Sequence, residues 1–292
     1  MKRIFYYNIN YFCNNKCVFC FSSSTGEKDG IVTRMQIIED IKAQKMGKDD
    51  LIVINGGEPT LHTDFYKIVQ YIIEETDSHI SIYTNGTILD ASSIPDTDRI
   101  KIIIPIHGSE VIHNRITQNK NSYKETIKSL LSLQEKKCIT GLKFIVSKAL
   151  IESNFKIIDF MENEGITPDE IIIARQNVTK KSIANRFDEM GIDDYGKYVS
   201  DAFYMLKSNY KLVFLDTPMC MLPGLNNEKM GCEVPPEFFF SDCNNRLENR
   251  KYYKQIMILP QCKGCVNINK CTMISRSYLT TVFDKEWCFR CE

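Results

Sequence analysis

Residues 4–20 read IFYYNINYFCNNKCVFC, an aromatic and β-branched run from Ile4 to Asn10 that leads directly into Cys13, Cys17 and Cys20. A run of this composition ending at asparagines reads as a strand. The three thiols therefore stand, at CxxxCxxC spacing, on the loop that leaves it. Similar runs recur downstream, and strands are expected near Leu51–Asn55, Ile80–Thr84, Ile100–Ile106, Gly141–Val146 and Glu170–Ala174. Helical patterns fit between them at about Thr33–Lys45, Asp64–Glu75, Tyr123–Glu135 and Asn154–Glu164. Thr33, Thr63 and Asn154 offer N-cap side chains, and Asp64 adds a carboxylate where the helix dipole favours one. Between the third and fourth strands only a turn around Ile88–Ala91 is expected.

Strands alternating with helices are the mark of βαβ units on a parallel sheet. The fold class is α/β: a partial (βα)6 TIM-like barrel over residues 1–210, with its chemistry at the C-terminal ends of the strands. A charged helical segment over 176–210, including Tyr195 and Tyr198, precedes a last strand at Leu212–Leu215. Beyond Pro218 the composition turns to aromatics, turn residues and cysteines. Residues 211–292 are expected to form a small irregular cysteine-rich domain that needs metal, because so short a segment builds little core of its own.

The chain has 292 residues, with 37 Lys and Arg against 37 Asp and Glu. That balance leaves no broad field to attract nucleic acid or an anionic membrane. The N-terminal run is broken by Asn8 and Asn10 and lacks a small-residue cleavage site, so it does not read as a signal peptide. No apolar stretch approaches the ~20 residues of a membrane span. A cytoplasmic location is expected, and there 12 cysteines argue for metal ligation over disulfides. Their placing agrees. Three lie within eight residues near the N-terminus, Cys138 is alone and reads as a small buried hydrophobe, and eight fall between Cys220 and Cys291.

Three thiolates on one loop can bind three irons of a cubane and leave the fourth iron open to an exogenous ligand. A structural zinc site wants four ligands, and no fourth Cys or His lies nearby. With Phe19 just before the third cysteine, this loop resembles the radical S-adenosylmethionine (SAM) superfamily. The second strand ends in Asn55-Gly56-Gly57-Glu58-Pro59-Thr60. Its glycines admit close backbone approach, and Glu58 is a carboxylate acceptor. By the resemblance, Gly56, Gly57 and Glu58 contact the methionine amino group of SAM. The third and fourth strands end in Tyr83-Thr84-Asn85-Gly86 and Ile106-His107-Gly108-Ser109, similar to TNG and S-x-H-G endings in the superfamily. Asn85 and Ser109 are candidate SAM contacts, and His107 reads equally as a hydrogen-bonded barrel residue. His113-Asn114-Arg115-Ile116-Thr117 with Ser122-Tyr123 resembles the H-D-R-I-T…S-(F/Y) stretch of the SPASM-containing branch, with Asn114 in place of the usual Asp. Lys143, Ser147 and Arg175, on or after the fifth and sixth strands, are further candidates at the barrel mouth.

In the tail, Cys262-x-x-Cys265-x5-Cys271 resembles the signature of an auxiliary cluster in SPASM and related domains. Ser275 stands where the two-cluster pattern has another cysteine. One auxiliary [4Fe-4S] cluster is expected and eight tail cysteines suffice arithmetically for two, with Cys220, Cys232, Cys243, Cys288 and Cys291 as the remaining candidate ligands. A zinc site at this motif is the alternative.

The resemblance implies reductive cleavage of SAM to methionine and a 5′-deoxyadenosyl radical, fed by a donor such as flavodoxin or ferredoxin. The leading substrate is a ribosomally made peptide, to be cross-linked, oxidised or epimerised. In an epimerisation, Cys232 or Cys243 could return the hydrogen atom. Cys13 comes early in the sequence, which argues for a separate leader-recognition protein or direct peptide binding. Alternatives are oxidation or rearrangement of a small metabolite such as a sugar or aminocyclitol, and a noncatalytic iron-sulfur or zinc protein.

Overall fold

The computed structural model describes residues 3–20, 30–176, 190, 192–215, 217–218, 237–243, 245–249, 256–257, 263–265 and 274–275. Six strands, β1 (Arg3–Asn8), β2 (Asp50–Asn55), β3 (His79–Tyr83), β4 (Ile100–Ile106), β5 (Ile139–Val146) and β6 (Glu170–Arg175), pair in parallel, each beside its predecessor. Outside them lie α1 (Arg34–Gln44), α2 (Phe65–Glu75), α3 (Glu110–Thr117), α4 (Ser122–Leu133), α5 (Lys148–Glu152) and α6 (Ile157–Glu164). Strand–helix alternation and strand order are those of the expected partial barrel.

The sheet extends at both edges. Helix α7 (Ile192–Leu206) leads into β7 (Lys211–Leu215), parallel to β6. On the other flank β8 (Glu237–Asp242) lies parallel to β1 and turns back antiparallel into β9 (Asn245–Asn249). The full order is β7-β6-β5-β4-β3-β2-β1-β8-β9. The Phe238-Phe239-Phe240 run is what makes β8: Phe239 stacks on Phe5 and Phe240 on Tyr6. Strands from beyond residue 210 thus share the barrel's sheet.

Period-two patterning sorts the strand residues by face. Phe5, Tyr7, Ile52, Ile54, Leu142 and Phe144 turn outward, fully buried under the helices. They meet helix residues spaced three and four apart, such as Phe65, Ile68, Val69 and Ile72 on α2. Thr33 caps α1 through a capping box with Gln36, as its sequence predicts. Asn154 does not cap α6. It takes a left-handed φ of 52°, a conformation that asparagine tolerates, and the helix begins at Ile157. Helix α3 was not expected from the sequence, and the turn after β3 is a short 3-10 segment at Ala91–Ser93.

The N-terminal end of the sheet is closed by charge. Glu170, at the start of β6, accepts from Lys101 Nζ at 2.9 Å and Lys211 Nζ at 2.8 Å, with its side chain 4% exposed. Burial would raise its carboxyl, but the hydrogen bonds from Lys211 and Lys101 outweigh this and hold it below the usual value. A depressed carboxylate stabilises the fold above its unfolded pKa, and that stabilisation is lost as pH falls through the folded pKa. Glu170→Gln should therefore cost about 2 kcal/mol near pH 7, since the two lysines remain partly solvated. In urea melts the deficit should shrink as pH falls below about 4; a deficit constant with pH would count against the ion pairs.

Candidate active site

At the C-terminal ends of β1–β6 a cavity of about 270 Å³ is lined by Cys13, Cys17 and Cys20 on one side and by Gly56, Gly57 and Glu58 on another. Phe19, Asn85, His107, Lys143 and Arg175 complete much of its wall. The motifs read separately in the sequence meet here.

The cysteine loop is held by backbone. Gly57 N donates to Asn10 O at 2.9 Å, and Glu58 N to Phe12 O at 2.7 Å. Asn10 Nδ2 returns a bond to Glu58 O at 2.9 Å. A Cβ on Gly57 would sit 2.2 Å from Phe12 O, and one on Gly56 2.8 Å from Asn10 O. Both glycines are thus required by the approach of residues 10–12. The sequence reading, which reserved that space for a ligand, missed this long-range demand.

The far side of the loop rests on α3. Lys16 N donates to Thr117 O at 2.9 Å and Val18 N to Ile116 O at 3.0 Å. Val18 and Phe19 pack with Ile112 and Ile116. A buried polar chain runs beneath: Asn15 Nδ2 donates to Ser122 Oγ at 3.3 Å, and Ser122 Oγ lies 3.1 Å from His113 Nε2. His113 Nδ1 accepts from His107 N at 3.3 Å, which fixes Nε2 as the protonated nitrogen. Burial holds His113 neutral, its pKa pushed down to about 4. The H-x-R-I-T…S stretch therefore braces the cysteine loop, and Asn114, in place of the usual Asp, accepts from Tyr123 N at 2.9 Å at the start of α4. His113→Phe keeps the ring volume but leaves two buried partners unmatched. It should cost about 1–3 kcal/mol and slow iron uptake by the loop, measured by urea denaturation and by reconstitution kinetics. Unchanged values for both would contradict the brace.

Glu58 is 1% exposed. Its Oε1 accepts from Thr60 Oγ1 at 2.6 Å, Thr60 N at 3.1 Å and Thr84 Oγ1 at 2.5 Å, and its Oε2 from Asn85 N at 2.7 Å. Burial raises its carboxyl, opposed by the bonds from Asn85, Thr60 and Thr84. The carboxylate locks the ends of β2 and β3 together and also faces the cavity. His107 is 3% exposed, edge-on to Phe19 at 5.3 Å and stacked on His113 at 5.2 Å. Its Nδ1 has no hydrogen-bond partner among the described residues. Lys143 lies over the Tyr83 ring at 5.6 Å. Ser147 is turned away, capping α5 through Leu150 N. Ser109 is exposed at the N-terminus of α3 and lies outside the cavity lining.

Cys13 Sγ receives Asn15 N at 3.4 Å and Asn85 Nδ2 at 3.6 Å. Burial nevertheless pushes its thiol up to about 11. N–H donors aimed at sulfur suit a thiolate ligand. A loop of three cysteines with such donors fits a [4Fe-4S] cluster, whose three cysteines take three different irons.

The comparisons agree. Residues 7–147 match the model of the Radical SAM superfamily. The chain carries a radical SAM domain over these residues. The chain is 26% identical over 175 residues to Fe-coproporphyrin III synthase of Methanosarcina barkeri, covering 56% of this chain and 42% of the relative. It is 28% identical over 134 residues to mycofactocin maturase MftC of Mycolicibacterium smegmatis, covering 44% and 33%. These matches span about half or less of the relatives' length. Among solved structures, SuiB of Streptococcus suis bound to S-adenosylmethionine superposes with TM-score 0.64 at 17% identity, over 95% of this chain and 73% of that one. SuiB is also solved bound to the precursor peptide SuiA.

Of the tail cysteines, Cys243 donates to Gly30 O at 3.0 Å and Cys265 is partly exposed. Cys220, Cys232, Cys262, Cys271, Cys288 and Cys291 lie outside the described residues. Cys138 is buried in the main core, as expected. No helix among the described residues is long and apolar enough to cross a membrane.

Proposed function

We propose that this chain cleaves SAM reductively in the barrel cavity and uses the radical to take a hydrogen from a peptide, as a step in peptide maturation. The observation that carries the SAM half is the meeting of the CxxxCxxC loop with Gly56, Gly57 and Glu58 around one cavity. Cys13, Cys17 and Cys20 would hold the [4Fe-4S] cluster, which when bound supplies the electron that splits SAM into methionine and a 5′-deoxyadenosyl radical. The Gly56–Glu58 wall would receive the ammonium group, with Glu58 Oε2 accepting only Asn85 N among the described residues. Phe19, Ile103 and Ile145 line the cavity with apolar surface that would exclude water and stray hydrogen donors around the reacting carbon. A flavodoxin or ferredoxin would deliver the electron.

The peptide half is supported by the cysteine-rich tail, in which Cys262, Cys265 and Cys271 would hold an auxiliary cluster, and by the fold shared with SuiB. A small metabolite is the second reading, favoured by the relative named for making a coproporphyrin. The test is anaerobic reconstitution with iron, sulfide and SAM. Formation of 5′-deoxyadenosine is expected, and its absence overturns the reading. Incubation with candidate precursor peptides in deuterated water separates the outcomes: a mass shift of the peptide supports maturation, and turnover of a small metabolite with no peptide changed sinks it.

A further inference from the structure

The side chain of Asn85 has two N–H donors and one carbonyl oxygen with two acceptor sites, and the protein uses all four. Its Oδ1 accepts from Thr87 N at 2.9 Å and Thr87 Oγ1 at 2.7 Å. Because a backbone N–H can only donate, this fixes the amide orientation. Nδ2 then donates to Asn14 Oδ1 at 2.9 Å and to Cys13 Sγ at 3.6 Å. Asn14 Nδ2 donates in turn to Thr87 Oγ1 at 2.7 Å. The bonds from Asn85 to Asn14, Asn14 to Thr87 and Thr87 back to Asn85 form a closed ring running in one direction, an arrangement in which each bond polarises the next. The backbone of Asn85 is pinned as well, N to Glu58 Oε2 and O by Thr126 Oγ1.

We propose that the Asn14–Asn85–Thr87 ring is a clamp on the first cluster ligand, aiming the Asn85 amide at Cys13 Sγ and so raising the reduction potential of the cluster. Asn85 is a positioning residue in this assignment, with no hydrogen-bonding capacity left for SAM. Reduction adds negative charge that spreads onto the ligand sulfurs. An N–H dipole pointing at one of them stabilises the reduced state more than the oxidised one. The proposal rests on Cys13, Cys17 and Cys20 being cluster ligands.

The test is an EPR-monitored redox titration of the reconstituted full chain, read on the signal that SAM perturbs, with iron per chain measured alongside. Asn85→Leu should disfavour reduction about tenfold, about 59 mV more negative for one electron. Thr87→Val, which deletes only the ring hydroxyl and touches no cysteine, should shift the potential the same way by less. Thr87→Ser, which keeps the hydroxyl, should match the wild type. Iron lost in Thr87→Val but kept in Thr87→Ser also supports the clamp, through its placing of Cys13. A wild-type potential in iron-replete Asn85→Leu overturns it, as does identical behaviour of Thr87→Val and Thr87→Ser. A wild-type chain that neither binds iron nor cleaves SAM would sink the cluster reading itself; one that does both, with no shift in Asn85→Leu, sinks only the clamp.

Discussion

Gly57→Ala should empty the N-terminal loop of iron while leaving the rest of the fold in place. Its new methyl would lie 2.2 Å from Phe12 O, 2.6 Å from Phe12 C and 2.6 Å from Tyr11 O. These are backbone atoms, unable to rotate away as a side-chain tip would. Overpacking costs about 1–3 kcal/mol where side chains can yield, and here the cost should reach or exceed the top of that range. Relief requires residues 11–12 to lift, which carries Cys13 off the wall formed by Glu58 and Asn85. Iron per chain should fall by about four, one cubane, and 5′-deoxyadenosine formation with it. Gly47→Ala is the control, because a Cβ there meets nothing within 4 Å. Equal iron in both variants would refute the close-approach argument.

Cys17→Ala should abolish SAM cleavage to the level of a protein-free control, for a chemical reason and not a structural one. The loop around it is anchored through Lys16 N and Val18 N to the end of α3, and neither bond involves the Cys17 side chain. The variant should therefore unfold within about 0.5 kcal/mol of the wild type while losing about four irons per chain. SAM cleavage that survives the substitution would exclude the assignment of this loop.

The barrel was legible because its strands carry their own signal. Ile100–Ile106 has the same ends in sequence and structure, as expected of an apolar run bounded by polar residues. Thr33 was readable because a capping box is local. What the sequence hid was non-local. Nothing near Gly57 announces that Tyr11 and Phe12 lie against it. The spacing around Asn85 gives no hint that its amide is spent on Asn14, Thr87 and Cys13. Motif reading took Asn85 and Ser109 alike as SAM contacts; in the structure Asn85 lines the cavity with its amide bonded to the cysteine loop, and Ser109 is exposed outside that lining. Helix α3 was missed because eight residues with buried His113 and Thr117 make a weak apolar stripe. Strand β8 was missed because its partner, β1, is remote in sequence.

That remoteness sets a timetable. Strand β1 ends at Asn8 and β8 begins at Glu237, 229 positions later. Tyr11, two residues before the first cysteine, donates to Asp242 Oδ2 at 2.7 Å. At ribosomal speeds of about 5–20 residues per second, roughly 10 to 50 s pass between the emergence of the two strands. For that interval β1 has β2 on one flank and an open backbone edge on the other, the kind of edge that recruits wrong partners. The segment that carries the cysteines is made well before the strand that encloses it. Iron delivered before β8 is made would meet a loop with one wall missing, so cluster insertion belongs after that strand has joined the sheet.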